Sequence, residues 1–290
     1  MDELSCWLAL ARAPASNRIK LQLLERCPSV SALFESDHRA LEGIELPPAL
    51  RRYLRFPDRT AVIQDRDWLE STGCSLLYPR HPDYPPMLAA IDDAPAVLYV
   101  RGEVAALSMP LVAVVGSRNP TPAGRDHAAD FARALAELEL GVSSGLAVGI
   151  DAAAHAAALA AGGVTVAVTG NGLDKVYPAA NARLADAVCV HGALVSEFPP
   201  GTPPRAEHFP RRNRLISGLS LGVLVIEATL RSGSLITARL AGDQGREVFA
   251  LPGSIDNPLS KGCHRLLREG ATLVESVADV VSEIAPMLVP

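Results

Sequence analysis

The sequence predicts a doubly wound α/β sheet, mostly parallel and covered by helices on both faces, preceded by a small all-α unit. Three observations carry this expectation. From about residue 96 onward, short apolar runs bounded by Gly, Pro or Asn alternate with helical windows, as buried parallel strands and crossover helices do. Before that point the apolar residues recur only at helical spacing. Finally, 290 residues, 49% apolar and 20% charged, suffice for a real core and lie far from the composition of disordered chains.

In the first part, Leu4, Trp7, Leu8 and Ala11 recur at i, i+3, i+4 and i+7, followed by Ile19, Leu21, Leu23 and Leu24, then Leu41, Leu46, Leu50, Tyr53 and Leu54. These are short helices, separated at Pro14, Pro28 and the Pro47-Pro48 pair, with residues 29–31 and Asp37 as candidate N-caps. Arginine is frequent here, at Arg39, Arg51, Arg52, Arg55 and Arg59. Solvated helix faces are the expected reading, contact with an acidic partner the alternative. The Pro-rich stretch 76–86 reads as turns and marks a change of character, which divides the chain into a helical domain, 1–70, and an α/β domain, 71–290.

In the second part, strands are expected at 96–100, 111–115, 164–168, 193–195, 222–226 and 247–251, with a short one ending at Val142–Ser144, all read as parallel. Helices are expected at 123–138, 150–161, 179–191, 211–219, 235–244 and 262–269.

Charge and cysteine usage exclude several classes. A formal charge of −5 provides no global field toward nucleic acid or an anionic membrane, so any polyanion site is a local patch. Cys6, Cys27, Cys74, Cys189 and Cys263 form no C-x-x-C pair, which argues against a zinc site or disulfide framework and for a reducing cytoplasm. The opening residues lack the basic n-region of a secretory signal. The most apolar stretch, 152–169, is broken by His155 and Gly162-Gly163 and is too weak to span a bilayer.

In open α/β sheets ligands settle beyond the carboxyl ends of the strands, where helix N-termini offer N–H groups and positive dipole ends. Five turns fall there. Gly116-Ser117-Arg118 follows an apolar run and combines close backbone approach, a hydroxyl and a guanidinium suited to phosphate. Ser144-Gly145 and Gly149 open the helix carrying Asp151 and His155; those two, four apart, share a face as an acid/base pair or, more simply, as a first-turn acid and a locally bonded histidine. The turn 170–178 adds Lys175 and Tyr177. Arg205, Arg211, Arg212 and Arg214 stand against Glu207 alone, interleaved with His208, Phe209 and Asn213, a composition suited to gripping a sugar-phosphate backbone and stacking bases. Ser232-Gly233-Ser234 opens one more helix.

Absences narrow the ligand. The sequence has no G-x-x-x-x-G-K-[ST], and the turn at Gly116 lacks the further glycines of G-x-G-x-x-G, so neither a P-loop NTPase nor an NAD or FAD enzyme is supported. No readable catalytic triad or carboxylate pair compels an enzyme. No catalytic residue, metal or cofactor is assigned.

Together these turns resemble the DNA-processing protein A family, also called DprA or Smf. The resemblance runs from about Leu76 to Leu273 and rests on Val114-Val115-Gly116-Ser117-Arg118; Ser144-Gly145-Leu146-Ala147 with Gly149-Ile150-Asp151; Tyr177-Pro178 with Asn181; Ser196-Glu197; Phe209-Pro210-Arg211-Arg212-Asn213-Arg214; Glu227-Ala228; Ser232-Gly233-Ser234-Leu235; and Leu251-Pro252-Gly253. It implies an extended Rossmann domain, a sterile-alpha-motif-like helical domain before it, single-stranded DNA binding without catalysis, loading of the recombinase RecA during natural transformation, and a homodimer whose surface is sought near residues 235–240 and 266–267. Many relatives carry a base after Tyr177-Pro178; here Ala179-Ala180 follow, and Lys175 or Arg183 is expected to substitute. Relatives also often continue into a winged-helix domain beyond the position of Pro290. The site expected on these grounds comprises Gly116, Ser117, Arg118, Ser144, Gly145, Gly149, Lys175, Arg183, Phe209, Arg211, Arg212, Asn213, Arg214, Ser232, Gly233 and Ser234, with Arg118, Arg212 and Arg214 on consecutive phosphates. Two alternatives are a phosphoribohydrolase of the lysine-decarboxylase-like group, disfavoured because the turn 230–237 lacks that group's proline and glutamate, and a pure interaction scaffold, disfavoured by the arginine cluster.

Overall fold

The architecture is that of a computed structural model, which describes residues 1–35 and 45–288. The N-terminal part holds α1 (Glu3–Arg12), α2 (Asn17–Arg26), α3 (Pro48–Arg55) and α4 (Arg59–Thr72), with a 3-10 turn at Ser31–Phe34. Local chemistry sets their ends. Asp2 accepts from Ser5 N at 2.9 Å and Asp58 from Ala61 N at 3.0 Å, satisfying N–H groups that a helix start leaves without partners. Ser29 caps the 3-10 turn through Ala32 N, Pro48 sits in the first turn of α3, and Gly73 ends α4 at φ 64°. The apolar spacing read in the sequence points inward: Trp7, Leu8, Leu23, Leu50 and Leu54 are buried. The candidate cap Asp37, and Arg39 and Leu41, lie outside the described residues.

Beyond Gly73 a nine-stranded sheet forms in the order β1-β2-β6-β5-β4-β3-β7-β8-β9. Its strands are β1 (Ser75–Leu77), β2 (Leu98–Gly102), β3 (Leu111–Val115), β4 (Gly141–Ser144), β5 (Thr165–Val168), β6 (Gly192–Ser196), β7 (Gly222–Val225), β8 (Glu247–Ala250) and β9 (Thr272–Leu273). Helices α5 (Pro86–Ala89), α6 (Pro122–Glu137), α7 (Ile150–Ala160), α8 (Ala182–His191), α9 (His208–Gly218), α10 (Ser234–Asp243), α11 (Lys261–Arg268) and α12 (Val277–Leu288) complete it. β3 to β9 are mutually parallel where they pair, which bears out the expected class.

Four expectations are corrected. The apolar run at 96–100 yields an antiparallel strand, β2, which pairs with β6 at the end of the parallel series rather than entering that series through a crossover helix of its own. Leu76 and Leu77, read as turn, are strand β1, paired antiparallel with β2. The helix expected at 211–219 begins at His208, so Phe209 lies in its first turn. The window 179–191 splits into a 3-10 turn at Ala179–Asn181 and α8. β9 and α12 match no element expected from the sequence.

β3 shows why both faces are covered. Leu111, Ala113 and Val115 share a core with Leu215 and Ile216 of α9 and Ala238 of α10; Val112 and Val114 share another with Phe131 of α6 and Ile150 of α7. Alternate side chains on one strand thus feed opposite layers. On the far side, Tyr99, Ala167 and Leu194 join Ala185 and Val188 of α8 in one core with Trp7 and Leu10. No helix of the described residues is long and apolar enough to cross a membrane.

The topology places the site. From β3 the chain moves through β4 and β5 to β6 in one direction, then returns to lay β7 on the other flank of β3. The carboxyl ends of β3 and β7 therefore diverge at a switch point, where crevices form in doubly wound sheets.

Candidate nucleic-acid interface

A cleft of about 610 Å3 opens at that switch point, lined by Gly116 and Arg118 after β3, Phe209, Arg212 and Asn213 of α9, and Ser232, Gly233 and Ser234 at the head of α10. Phe209 supplies an aromatic ring to its lining. The Arg118 guanidinium stands 5.7 Å from the ring centroid and that of Arg212 5.9 Å, within cation–π range. Tyr177 adds a second ring 5.5 Å away.

The two arginines differ in kind. Arg118 is exposed. Arg212 is buried, donating through Nη1 to Gly145 O at 2.8 Å and to Val168 O, and through Nε to Asn213 Oδ1 at 3.0 Å. Burial pulls its pKa down to about 10, against the attraction of Asp151. Asp151, in the first turn of α7, accepts from Gly145 N at 3.1 Å and Ala147 N at 3.3 Å; burial pushes its carboxyl up, and Arg212 opposes that shift. His155, on the same helix, bonds Thr165 Oγ1 at 2.7 Å and burial drives its imidazole down to about 3. The simpler of the two readings of this pair therefore holds: a first-turn acid and a locally bonded histidine.

The glycines serve the protein's own packing as much as any ligand. A Cβ at Gly145 would strike the Arg212 guanidinium, one at Gly149 (φ 88°) the carbonyls of Ser117 and Arg118, and one at Gly116 the side chain of Ile150. Ser144 is buried and donates to Val114 O at 2.6 Å across the β3–β4 pair. Ser117 Oγ accepts from Asn119 N at 3.1 Å, which shapes the turn presenting Arg118. A Cβ at Gly233, by contrast, would meet nothing within 4 Å, so the head of α10 faces open space.

The arginine cluster divides. Three apart on α9, Arg211 and Arg214 share a face, and both reach Glu197 Oε2, at 3.0 and 2.6 Å. Arg214 also pairs with Asp93 at 3.0 Å and is buried away from the cleft lining. The expectation that it neutralises a phosphate beside Arg212 is corrected: two carboxylates already compensate its charge. Arg205 is exposed and stands 3.8 Å from Glu207. Lys175 and Arg183 are exposed but do not line the cleft. Asp151, Tyr177, Pro204, Ile216, Ile236 and Thr237 line it without having been expected in the site. Helical spacing carries the signal for Ile216, which lies on the Asn213 side of α9, and for Thr237, three residues after Ser234.

Residues 75–285 match the family model of DNA recombination-mediator protein A. The chain is 49% identical over 243 residues to Protein Smf of Escherichia coli K12, covering 83% of this chain and 64% of that protein; it thus spans less than two thirds of that relative's length. The fold is similar to the X-ray structure of DNA processing protein A from Streptococcus pneumoniae, with a TM-score of 0.84 and 40% identity over 95% of each chain. It is also similar to DNA processing protein A of Helicobacter pylori, solved for its single-stranded DNA binding mode, with a TM-score of 0.67 and 30% identity, covering 74% of this chain and 96% of that one.

Proposed function

The chain belongs to the DNA recombination-mediator protein A family, and from that premise we propose that it binds single-stranded DNA without regard to sequence, performs no catalysis and loads RecA onto the bound strand in the cytoplasm. One observation carries the binding role: an aromatic ring, Phe209, flanked by two guanidinium groups at the open switch point of the sheet. The ring stacks an unpaired base, and Arg118, with the Ser232 and Ser234 hydroxyls at the head of α10, takes the adjoining phosphates, contacts that carry no sequence information. Arg212 supplies positive potential from beneath, while Ser117, Gly116 and Gly149 hold the Arg118 turn. Lys175 and Arg183, exposed but outside the cleft lining, are the further cations offered to a longer strand. The cleft's carboxylate, Asp151, is engaged by two backbone N–H groups, an arrangement that fits a structural anion better than a proton carrier.

The RecA role rests on the family. The division at residue 70 is kept as a proposal, as is a homodimer. A groove of about 550 Å3 between α10, β8 and α11, with Leu230 and Ile236 exposed on it among the charged side chains of Arg231, Arg239 and Arg265, is the mixed surface offered for the second copy.

Competition between strand types tests the binding role. A labelled single strand is titrated against equal nucleotide amounts of unlabelled single and double strands. Displacement by the single strand alone is expected, because a stiff duplex cannot put its bases on Phe209; equal displacement by duplex overturns the reading.

A further inference from the structure

We propose that the turn between α3 and α4 is a second single-strand contact, which lengthens the footprint beyond the cleft within one chain. The inference rests on the reading that the cleft binds single-stranded DNA.

The sequence Arg51-Arg52-Tyr53-Leu54-Arg55-Phe56-Pro57-Asp58-Arg59 places four guanidinium groups within nine residues, against one carboxylate. Asp58 is already engaged, accepting from Ala61 N as the N-cap of α4. Helical spacing sorts the segment. Leu50 and Leu54, four apart, are buried in the N-terminal core, which turns Arg51, Arg52 and Arg55 to solvent, and all three are exposed. Arg59 opens α4 and is exposed as well. Among the described residues none of the four has a carboxylate within ion-pair distance.

A solvated basic face needs no aromatic, yet this one has one. Phe56 closes α3, its N–H bonded to Arg52 O and Tyr53 O, and its side chain is 76% exposed. Ile63, one turn beyond Arg59 on α4, is 58% exposed. A large ring left in water between Arg55 and Arg59 is the combination that stacks bases while neighbouring cations take the phosphates. In a chain of net charge −5, such a patch is the local exception that a polyanion finds.

The patch is linked to the cleft through α4. Pro204 and Ala206 form the cleft wall, and the loop leading to them is fixed to α4: Arg12 donates to Pro200 O at 3.0 Å and, bidentately, to Asp65 at 2.6 Å. From Asp65 back to Arg59 is six residues, about 9 Å of helix. This loop and α4 are the route we infer for a strand passing from the cleft to the α3–α4 turn.

Two probes separate the two contacts: an oligonucleotide of about 6 nucleotides, near the lower end of single-fold footprints, and one about three times longer. In the parent protein the long probe binds more tightly and with a steeper salt dependence. In the variant Arg51→Ala/Arg52→Ala/Arg55→Ala/Arg59→Ala, short-probe affinity is unchanged. Long-probe affinity falls roughly tenfold or more, and its log–log salt slope shrinks by about 0.7 for each phosphate that the variant leaves unneutralised. Phe56→Ala weakens only the long probe and leaves the slope alone, since stacking releases no counterions. All replaced residues are exposed, and thermal unfolding of each variant confirms the fold. Parent-like long-probe binding by both variants overturns the second contact. Failure of the parent to bind the short probe overturns the cleft reading instead.

Discussion

The carboxylate of Glu227, immediately beyond β7, accepts from Thr121 N at 2.9 Å and from Thr121 Oγ1 at 2.7 Å, and Thr121 in turn caps α6 by accepting from Gly124 N at 2.9 Å. The anion at the start of α6 is thus a side chain of the protein, delivered across the switch point and tying β7 to the β3–α6 turn. Replacing Glu227 with Ala strips two donors of their acceptor in a largely buried place and lowers stability by about 1–3 kcal/mol. Glu227→Gln, which keeps an acceptor, loses less. Urea denaturation of the three proteins measures the difference; a neutral alanine variant contradicts this role.

Arg118 tests the cleft directly. It is exposed and has no carboxylate partner among the described residues, so Arg118→Ala leaves the fold within about 0.5 kcal/mol of the parent. Single-strand affinity drops by roughly 1–3 kcal/mol, with the salt slope reduced by about 0.7. Titrations at several salt concentrations read both quantities, and equal affinity in a folded variant removes Arg118 from the site.

His155 makes folding sensitive to acid. Thr165 Oγ1 donates to Val142 O at 2.8 Å, so toward His155 it must accept, which places the imidazole proton on Nδ1. Buried Nε2 has no partner. The folded pKa lies near 3, the ordinary value being 6.5. The unfolded chain therefore binds a proton below about 6.5 that the folded chain refuses, and the stability present above that pH is lost as pH falls toward 3. Asp151, pushed up by burial, acts in the opposite sense near and above its ordinary value. In His155→Gln the slope of unfolding free energy between pH 6.5 and 4 flattens; an unchanged slope assigns the acid sensitivity to other groups.

Glu197 anchors the helix that carries Phe209. One of its oxygens accepts from Asn17 of α2 at 2.8 Å and from Arg211 and Arg214 of α9. Glu197→Gln leaves Arg214 with Asp93 alone, a loss of about 3 kcal/mol, the lower end for breaking a buried ion pair. Because α9 also holds Arg212, single-strand affinity falls with it. A stability change of only about 0.5 kcal/mol, ordinary for surface substitutions, shows the network to be dispensable.

Most of the parallel strands were legible because they are short apolar runs bounded by a breaker, as at Leu111–Val115, which Gly116 closes, and Gly222–Val225, which a glycine opens. β1 and β9, three and two residues long, carry too few side chains for a period. The direction of β2 was not legible either, since a buried run looks the same whichever way it runs. In the site, Phe209, Arg118 and the serines at α10 could be read from turns placed at strand ends. The fate of Arg214 could not: its partner Asp93 lies far off in the sequence and Glu197 in the loop before α9, although the three-residue spacing to Arg211 already hinted at a shared face.

The carboxylates Glu227 and Asp151 have a consequence for what the cleft ignores. With α6 capped from within and the turn before α7 filled by its own acid, the guanidinium groups left at the cleft are those of Arg118 and Arg212, 5.7 and 5.9 Å from the Phe209 ring centroid. Orthophosphate has no face to lay on the ring, whereas on the proposed reading a strand uses the ring and the Arg118 guanidinium in series. On the proposed reading, small inorganic phosphates compete poorly with a strand for this site.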